Sequence, residues 1–153
     1  MSQVPTKTES ERYYYGLYNP TPKLLARTSN TEWEPTEREK VLYTAPNNNR
    51  LALDVEAGKL TVELTNALEA ADPASAMVVR IGYCLLPGEV LRAPTILLVG
   101  VRTESGVEPE AALKAANNCK KFLEENDYGD IDVEICQTKT GYPSLFLPPI
   151  YTA

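Results

Sequence analysis

The sequence predicts an α+β fold, a two-layer sandwich in which helices cover one face of a mixed sheet, on three observations. Two apolar runs, 76–86 and 95–102, flank a Pro-Gly turn, and an alternating run follows at 130–137. An amphipathic stretch at 109–125 separates the second run from the third. Short runs of β-branched and aromatic residues are typical of strands, whereas an apolar period of 3.6 residues is typical of a helix.

The three runs are expected to form neighbouring strands. The Pro-Gly turn makes the first two antiparallel, and 95–102 is apolar enough to be buried on both faces. A right-handed crossover through the helix places 130–137 parallel to 95–102. The third strand alternates apolar residues with polar ones such as Asp132 and Glu134, which predicts that one of its faces is solvated.

A second helix is predicted over 59–71. Leu60, Leu64 and Leu68 follow helical spacing, and an Asp-Pro pair stops the pattern. Over 50–57 the alternating and helical periods compete, so that both a strand and a helix remain open.

Differences in composition divide the chain into an N-terminal segment, an arm, a core domain and a tail. Residues 1–12 are polar and expected to be disordered, and 13–46 is an aromatic, proline-rich arm expected to lie extended on the domain. Within the arm, 23–27 is compatible with a short edge strand. The core domain spans 47–137, and 138–153 is an apolar, proline-rich tail that is expected to be extended.

Composition narrows the possible partners and location. At 153 residues the chain is the size of one domain. The net charge of −6 argues against nucleic acid, because a phosphate backbone is bound through a cationic surface. No apolar run approaches the roughly 20 residues of a membrane span, and no basic leader precedes an apolar stretch, so we expect a soluble, cytoplasmic protein.

The chemistry-bearing residues argue against catalysis. The chain has no histidine, which removes the commonest general base. Cys84, Cys119 and Cys136 are widely spaced and form no zinc pattern, and no glycine-rich phosphate loop occurs. We therefore expect no metal, no cofactor and no catalytic residue, and enzymatic activity stays open but disfavoured.

Aromatic residues in the arm are the candidates for binding, because aromatic rings offer large contact area at low entropic cost. Their alternative role, which the sequence favours, is to anchor the arm on the domain. The candidate binding residues are Tyr13, Tyr14, Tyr15, Tyr18, Arg27 and Trp33.

The apolar tail is the candidate for docking to a partner, because an exposed apolar segment marks an interaction site. The candidate docking residues are Tyr142, Phe146, Ile150 and Tyr151.

Several stretches together resemble the N-terminal part of a family of uncharacterised fungal proteins, over residues 13–137. They are the tyrosine cluster with 22–28, the Trp33-Glu34-Pro35 turn, 78–82 and 130–135. Longer relatives carry a segment resembling a trypsin-like domain after this part, so the resemblance implies an accessory or regulatory unit. It transfers no catalytic residue.

Three functions follow as hypotheses. The first is a non-catalytic protein-interaction or regulatory module. The second is a small-molecule binding protein, or a histidine-free enzyme, with its site under the tyrosine arm. The third is a self-assembling structural protein in which 131–137 or the tail pairs with a neighbouring sheet, so that the expected partner is another protein or a second copy.

Overall fold

The computed structural model describes residues 3–17 and 21–138, and these form a five-stranded mixed sheet with helices packed on it. The predicted α+β fold is confirmed. The strands are β1 (Lys23–Arg27), β2 (Lys40–Thr44), β3 (Ser75–Tyr83), β4 (Thr95–Arg102) and β5 (Asp132–Thr138). The helices are α1 (Lys7–Arg12), α2 (Arg50–Glu56), α3 (Thr61–Ala67) and α4 (Pro109–Glu125).

The spatial order of the strands is β1-β5-β4-β3-β2. The predicted pairings are confirmed, since β3 runs antiparallel to β4 and β5 runs parallel to it. Strand β4 is buried on both faces, as predicted, with Leu97 and Val99 toward one face and Ile96 and Leu98 toward the other. Burial on both sides explains why this strand reads as a continuous apolar run.

The helices predicted over 59–71 and 109–125 cover one face of the sheet, which we call the helix face. Helix α4 has the predicted bounds, and Pro109 occupies its first turn, where a missing N–H leaves no bond unmade. Its buried stripe consists mainly of alanines, which allow the helix to pack closely against the sheet. From α3, Leu64 and Leu68 join the same apolar cluster.

The ambiguous segment 50–57 is a helix. Asn49 caps α2, since its Oδ1 accepts a hydrogen bond from the backbone N–H of Ala52 at 2.9 Å. Gly58, at φ +74°, then turns the chain out of the helix. The helix predicted over 59–71 is correspondingly shorter, because α3 ends at Ala67 and a single 3₁₀ turn, Glu69–Ala71, follows.

Strand β3 ends at Tyr83, and the predicted extension to 86 is wrong. β2 pairs with β3 only as far as the partners Lys40 and Tyr83, and after one more backbone hydrogen bond, from the N–H of Cys84 to the carbonyl of Glu39 at 2.9 Å, the two chains separate. A turn replaces the strand, in which the backbone N–H of Leu86 donates to Glu89 Oε1 at 2.7 Å. Leu86 is consequently 61 % exposed.

The first twelve residues and the arm differ from expectation. Disorder is predicted over 1–12, but α1 forms there and is capped by Thr6, whose Oγ1 accepts from the backbone N–H of Glu9 at 3.2 Å. The arm supplies both edge strands, β1 and β2, rather than lying on the domain as an appendage. The edge strand considered at 23–27 is confirmed.

Strand β5 lies between β1 and β4, so edge pairing through 131–137 is ruled out as the route to self-assembly. Its polar face is also not solvated. Glu134 is only 7 % exposed and Cys136 1 %, because the residues after α1 cover them. The tail beyond Thr138, with its four candidate docking residues, lies outside the described residues.

Within the described ranges, none of the helices has both the length and the apolar character needed to cross a membrane.

Candidate functional site

The face of the sheet opposite the helices, which we call the tyrosine face, carries a second apolar cluster. This cluster packs around Tyr14, which is fully buried. Its buried members are Tyr14, Leu24, Leu42, Val79, Ile96, Leu98 and Cys136.

A cavity of about 560 Å³ opens beside this cluster. Its floor is formed by β4 and β5, with Ile96 and Glu134, and its sides by the segments before β2 and before β4. We call it the tyrosine-face cavity. The side chains that matter for its chemistry are Tyr13, Arg27, Trp33, Lys40, Tyr83, Arg92, Asp132 and Glu134.

Two phenols hold the buried carboxylate of Glu134. The hydroxyl of Tyr13 donates to its Oε2 at 2.8 Å, and the hydroxyl of Tyr14 donates to its Oε1 at 2.9 Å. Burial raises the pKa of Glu134, and the two hydrogen bonds and the charges of Lys40 and Arg27 oppose that rise. Burial and the charge of Glu134 raise the pKa of both tyrosines, so the phenols remain protonated donors.

Gly16 sets the position of the two tyrosines. It adopts φ +85°, a conformation that glycine tolerates and other residues rarely adopt, and its Cα lies so close to Glu39 that no side chain fits between them. One residue earlier, the carbonyl of Tyr15 accepts a hydrogen bond from the backbone N–H of Lys40 at 2.8 Å. The chain after α1 is thereby tied to the start of β2.

The other acidic side chain of the floor is also satisfied by the protein. Asp132 accepts a hydrogen bond from the hydroxyl of Thr28 at 2.8 Å and lies 3.5 Å from the ammonium of Lys120. Arg27 is likewise occupied, because its Nε donates to Glu9 at 2.8 Å and its guanidinium donates to Ser29 Oγ at 2.7 Å.

Lys40 and Arg92 differ from these groups. The ammonium of Lys40 lies 3.8 Å from the centre of the Tyr13 ring, and among residues 3–17 and 21–138 it has no hydrogen-bond acceptor or ion-pair partner. Arg92, exposed at the cavity rim, also has none in the part of the chain that the structure describes. Burial lowers the pKa of Lys40, although the charge of Glu134 opposes this. The cavity therefore offers two cations without described acceptors over a floor whose two acids already accept protein donors, and two exposed acids, Glu32 and Glu34, complete its charged lining.

The structure unites some of the candidate binding residues and separates others. Tyr13, Arg27 and Trp33 line the cavity, and Tyr14 lies behind it on Glu134. Tyr15 is 37 % exposed, stacks with Arg12 at 5.7 Å and does not line the cavity. Tyr18 lies outside the described residues.

Sequence reasoning missed Glu134, Lys40 and Arg92 as site residues. The one local signal is Glu134 itself, a glutamate in the middle of a strand whose neighbours are apolar.

No protein-family model, curated protein or solved structure matches the chain. The resemblance to fungal proteins stays a prediction. No group of three or more acidic or cysteine side chains with a geometry suited to a metal ion occurs within residues 3–17 and 21–138.

The cysteines give a first testable prediction. Burial raises the pKa of Cys119 to about 12, and burial together with the charge of Glu134 raises the pKa of Cys136, whereas Cys84 is exposed. Because the thiolate is the reactive form, we expect a disulfide reagent such as DTNB to modify only Cys84 in the native protein and all three thiols in urea. Rapid native modification of Cys119 or Cys136 would contradict the burial described above.

Proposed function

We propose that the protein binds a small molecule in the tyrosine-face cavity, and that the ligand carries an acceptor-rich head group on a flat apolar body. The observation that carries the proposal is Lys40, a partly buried cation in the cavity without an acceptor in the described residues. A buried charge without a partner is costly, so the missing acceptor is the group that a ligand supplies.

The walls of the cavity support the apolar half of that ligand. Tyr13, Trp33 and Tyr83 line it, and aromatic side chains provide broad contact faces for a flat molecule. Cations of the protein already lie over the rings of Tyr13 and Tyr83, so Trp33 is the aromatic side chain that we expect to contact the ligand. Small-molecule sites combine apolar walls with a few converging polar groups, and this cavity has both, although its lining carries more charged side chains than is usual. Its volume, about 560 Å³, is also within the usual range for such sites.

Arg92 and Lys40 favour an anionic head group. The acids of the floor already accept protein donors, so they do not compete for these two cations. The other acids of the lining, Glu32 and Glu34, are exposed, so solvent screens their charges. A guanidinium binds a carboxylate through two parallel hydrogen bonds, which gives orientation as well as affinity. We therefore expect carboxylates to bind better than neutral or cationic molecules of the same shape.

Trp33 is the only tryptophan of the chain, so its fluorescence reports on this cavity. We expect phenylacetate to quench it saturably, and 2-phenylethanol and 2-phenylethylamine to bind at least about ten-fold more weakly. Arg92→Ala should weaken phenylacetate binding about five- to ten-fold. The matched control is Arg102→Ala, an exposed arginine at the opposite end of β4, which should leave binding unchanged. Equal quenching by all three compounds, or none, contradicts the proposal.

A second function is favoured by the loop between β3 and β4. Leu85, Leu86 and Val90 are 37 %, 61 % and 74 % exposed there, and clustered exposed apolar residues mark interaction surfaces. We propose self-association through this loop, in line with an interaction module. Light scattering across a concentration series should show a rising mass that Leu86→Glu abolishes; a constant monomer mass would contradict it.

We also propose a cytoplasmic location and no role in nucleic-acid binding. Three free thiols support the first, because disulfides predominate in oxidising compartments. The net charge of −6 supports the second.

A further inference from the structure

We propose that Lys40 forms an imine with its ligand, and that the ligand class is the 2-oxo acids, with the carbonyl carbon at Lys40 and the carboxylate at Arg92. This inference rests on the proposed small-molecule site and adds a covalent step to it. Two features of Lys40 carry it: the position of its amine inside the cavity and the lack of a described acceptor for that amine.

The position of Lys40 is fixed by its backbone. It is the first residue of β2, paired with Tyr83, and its N–H is bound by the carbonyl of Tyr15. Its side chain extends over the ring of Tyr13 and reaches the cavity. An amine presented in this way approaches a bound molecule from one direction, which is what attack on a flat carbonyl group requires.

The surroundings of Lys40 favour the neutral, nucleophilic amine. Burial and the charge of Arg27 lower its pKa, while the charges of Glu134 and Glu9 oppose the shift. Desolvation is the usual means by which a lysine becomes a nucleophile at neutral pH. The carboxylate of Glu134 opposes this only in part, because it is shared between the phenols of Tyr13 and Tyr14.

Other lysines of the described chain lack this combination. Lys120 donates to the carbonyls of Gly129 and Ile131 at 2.7 and 2.9 Å and pairs with Asp132. Lys59 is 70 % exposed and lies 3.9 Å from Asp54. Neither ammonium group lies in the tyrosine-face cavity, so neither is presented to a ligand bound there.

The chemical step balances with no further reactant. The lone pair of the neutral amine attacks the carbonyl carbon, and the C=O π electrons move to oxygen to form a carbinolamine. Two protons from the nitrogen then leave with that oxygen as water, and a C=N bond replaces the C=O bond. A carboxylate beside the carbonyl, held by Arg92, distinguishes a 2-oxo acid from a simple aldehyde.

The test uses the full chain with phenylpyruvate and sodium cyanoborohydride, which reduces the imine to a stable secondary amine. Peptide mapping by mass spectrometry should find labelling at Lys40 at least about ten-fold faster than at Lys59. Lys40→Arg should lose the fast adduct, and the control Lys59→Arg should keep it. With phenylacetaldehyde, which lacks the carboxylate, the preference for Lys40 should fall, and Arg92→Ala should reduce labelling by phenylpyruvate only. Circular dichroism confirms that each variant is folded.

The outcomes separate the two proposals. Saturable quenching by phenylacetate without preferential labelling of Lys40 overturns the imine and leaves the binding site in place. Labelling spread over the exposed lysines, unchanged in Lys40→Arg, also overturns it. Absence of both quenching and labelling overturns the proposed function itself.

Discussion

Replacement of Glu134 with alanine is expected to lower the free energy of unfolding by about 2–4 kcal/mol. The substitution removes the acceptor of the hydroxyls of Tyr13 and Tyr14, which have no other described partner within residues 3–17 and 21–138. Tyr14 is fully buried, so its phenol would retain an unpaired donor in an apolar cluster. Urea denaturation followed by circular dichroism measures the change.

Two comparisons make this result specific. Glu125→Ala, at the exposed end of α4, should change the free energy of unfolding by less than about 0.5 kcal/mol. Tyr14→Phe in the Glu134→Ala background should cost less than in the wild type, because the hydroxyl it removes has already lost its partner. Additive effects of the two substitutions would contradict the hydrogen bond described here.

Glu134→Gln removes the charge and keeps one acceptor oxygen for the tyrosine hydroxyls. Because the pKa of Glu134 is raised on folding, the folded state binds its proton more tightly than the unfolded chain does. Its contribution is therefore fully present below the unfolded pKa of about 4.3 and is lost as the pH rises through the folded value. Relative to wild type, Glu134→Gln should gain stability between pH 4 and pH 7 in urea titrations. A pH-independent difference would contradict the raised pKa.

Gly16→Ala is expected to lower the free energy of unfolding by about 3 kcal/mol or more. Gly16 adopts φ +85°, and a Cβ added to it would lie 2.7 Å from Glu39 Cα and closer still to the Glu39 side chain. One of these contacts is with the Glu39 backbone, so a side-chain rotation cannot relieve it, and the first residues and the segment before β2 would have to separate. Tyr13 and Tyr14 would then lose their position on Glu134.

Gly88 provides the matched control. It has the same φ of +85°, but a Cβ there meets nothing within 4 Å. Gly88→Ala should therefore cost only the backbone penalty of about 1 kcal/mol. Equal losses at the two glycines, measured by urea denaturation, would show that the contact between Gly16 and Glu39 does not hold the site together.

The parts of the fold that sequence reasoning predicts well are those with dense local patterns. Strand β4 and helix α4 have the predicted bounds, because β4 is apolar on both faces and α4 has one unbroken apolar stripe. Segment 50–57 has both an alternating and a helical apolar period, so the sequence leaves its structure open. It forms a helix whose first turn is capped by the side chain of Asn49. β3 ends at Tyr83 because its antiparallel neighbour β2 begins only at Lys40, opposite it, and the sequence of β3 gives no sign of where β2 begins.

The sequence predicts some residues of the candidate site and not others. Aromatic residues stand out in the sequence, which therefore predicts Tyr13 and Trp33 as binding residues, and both line the tyrosine-face cavity. The sequence predicts a solvated face for Glu134, because alternation shows only that its side chain points away from those of Val133 and Ile135. Whether that face is wet depends on Tyr13, which is 121 positions away along the chain. Lys40 and Arg92 resemble ordinary surface cations until the strands bring them to one cavity.

The order of the strands also bears on how the protein is made. β1 forms its ladder with β5, so a segment of the first thirty residues pairs with the last described strand. While the chain emerges from the ribosome, β1 has no neighbouring strand to pair with until β5, which ends at residue 138, has been synthesised. We therefore expect completion of the sheet, and of the tyrosine-face cavity, only after that point, with the early strands exposed to chaperones in the meantime.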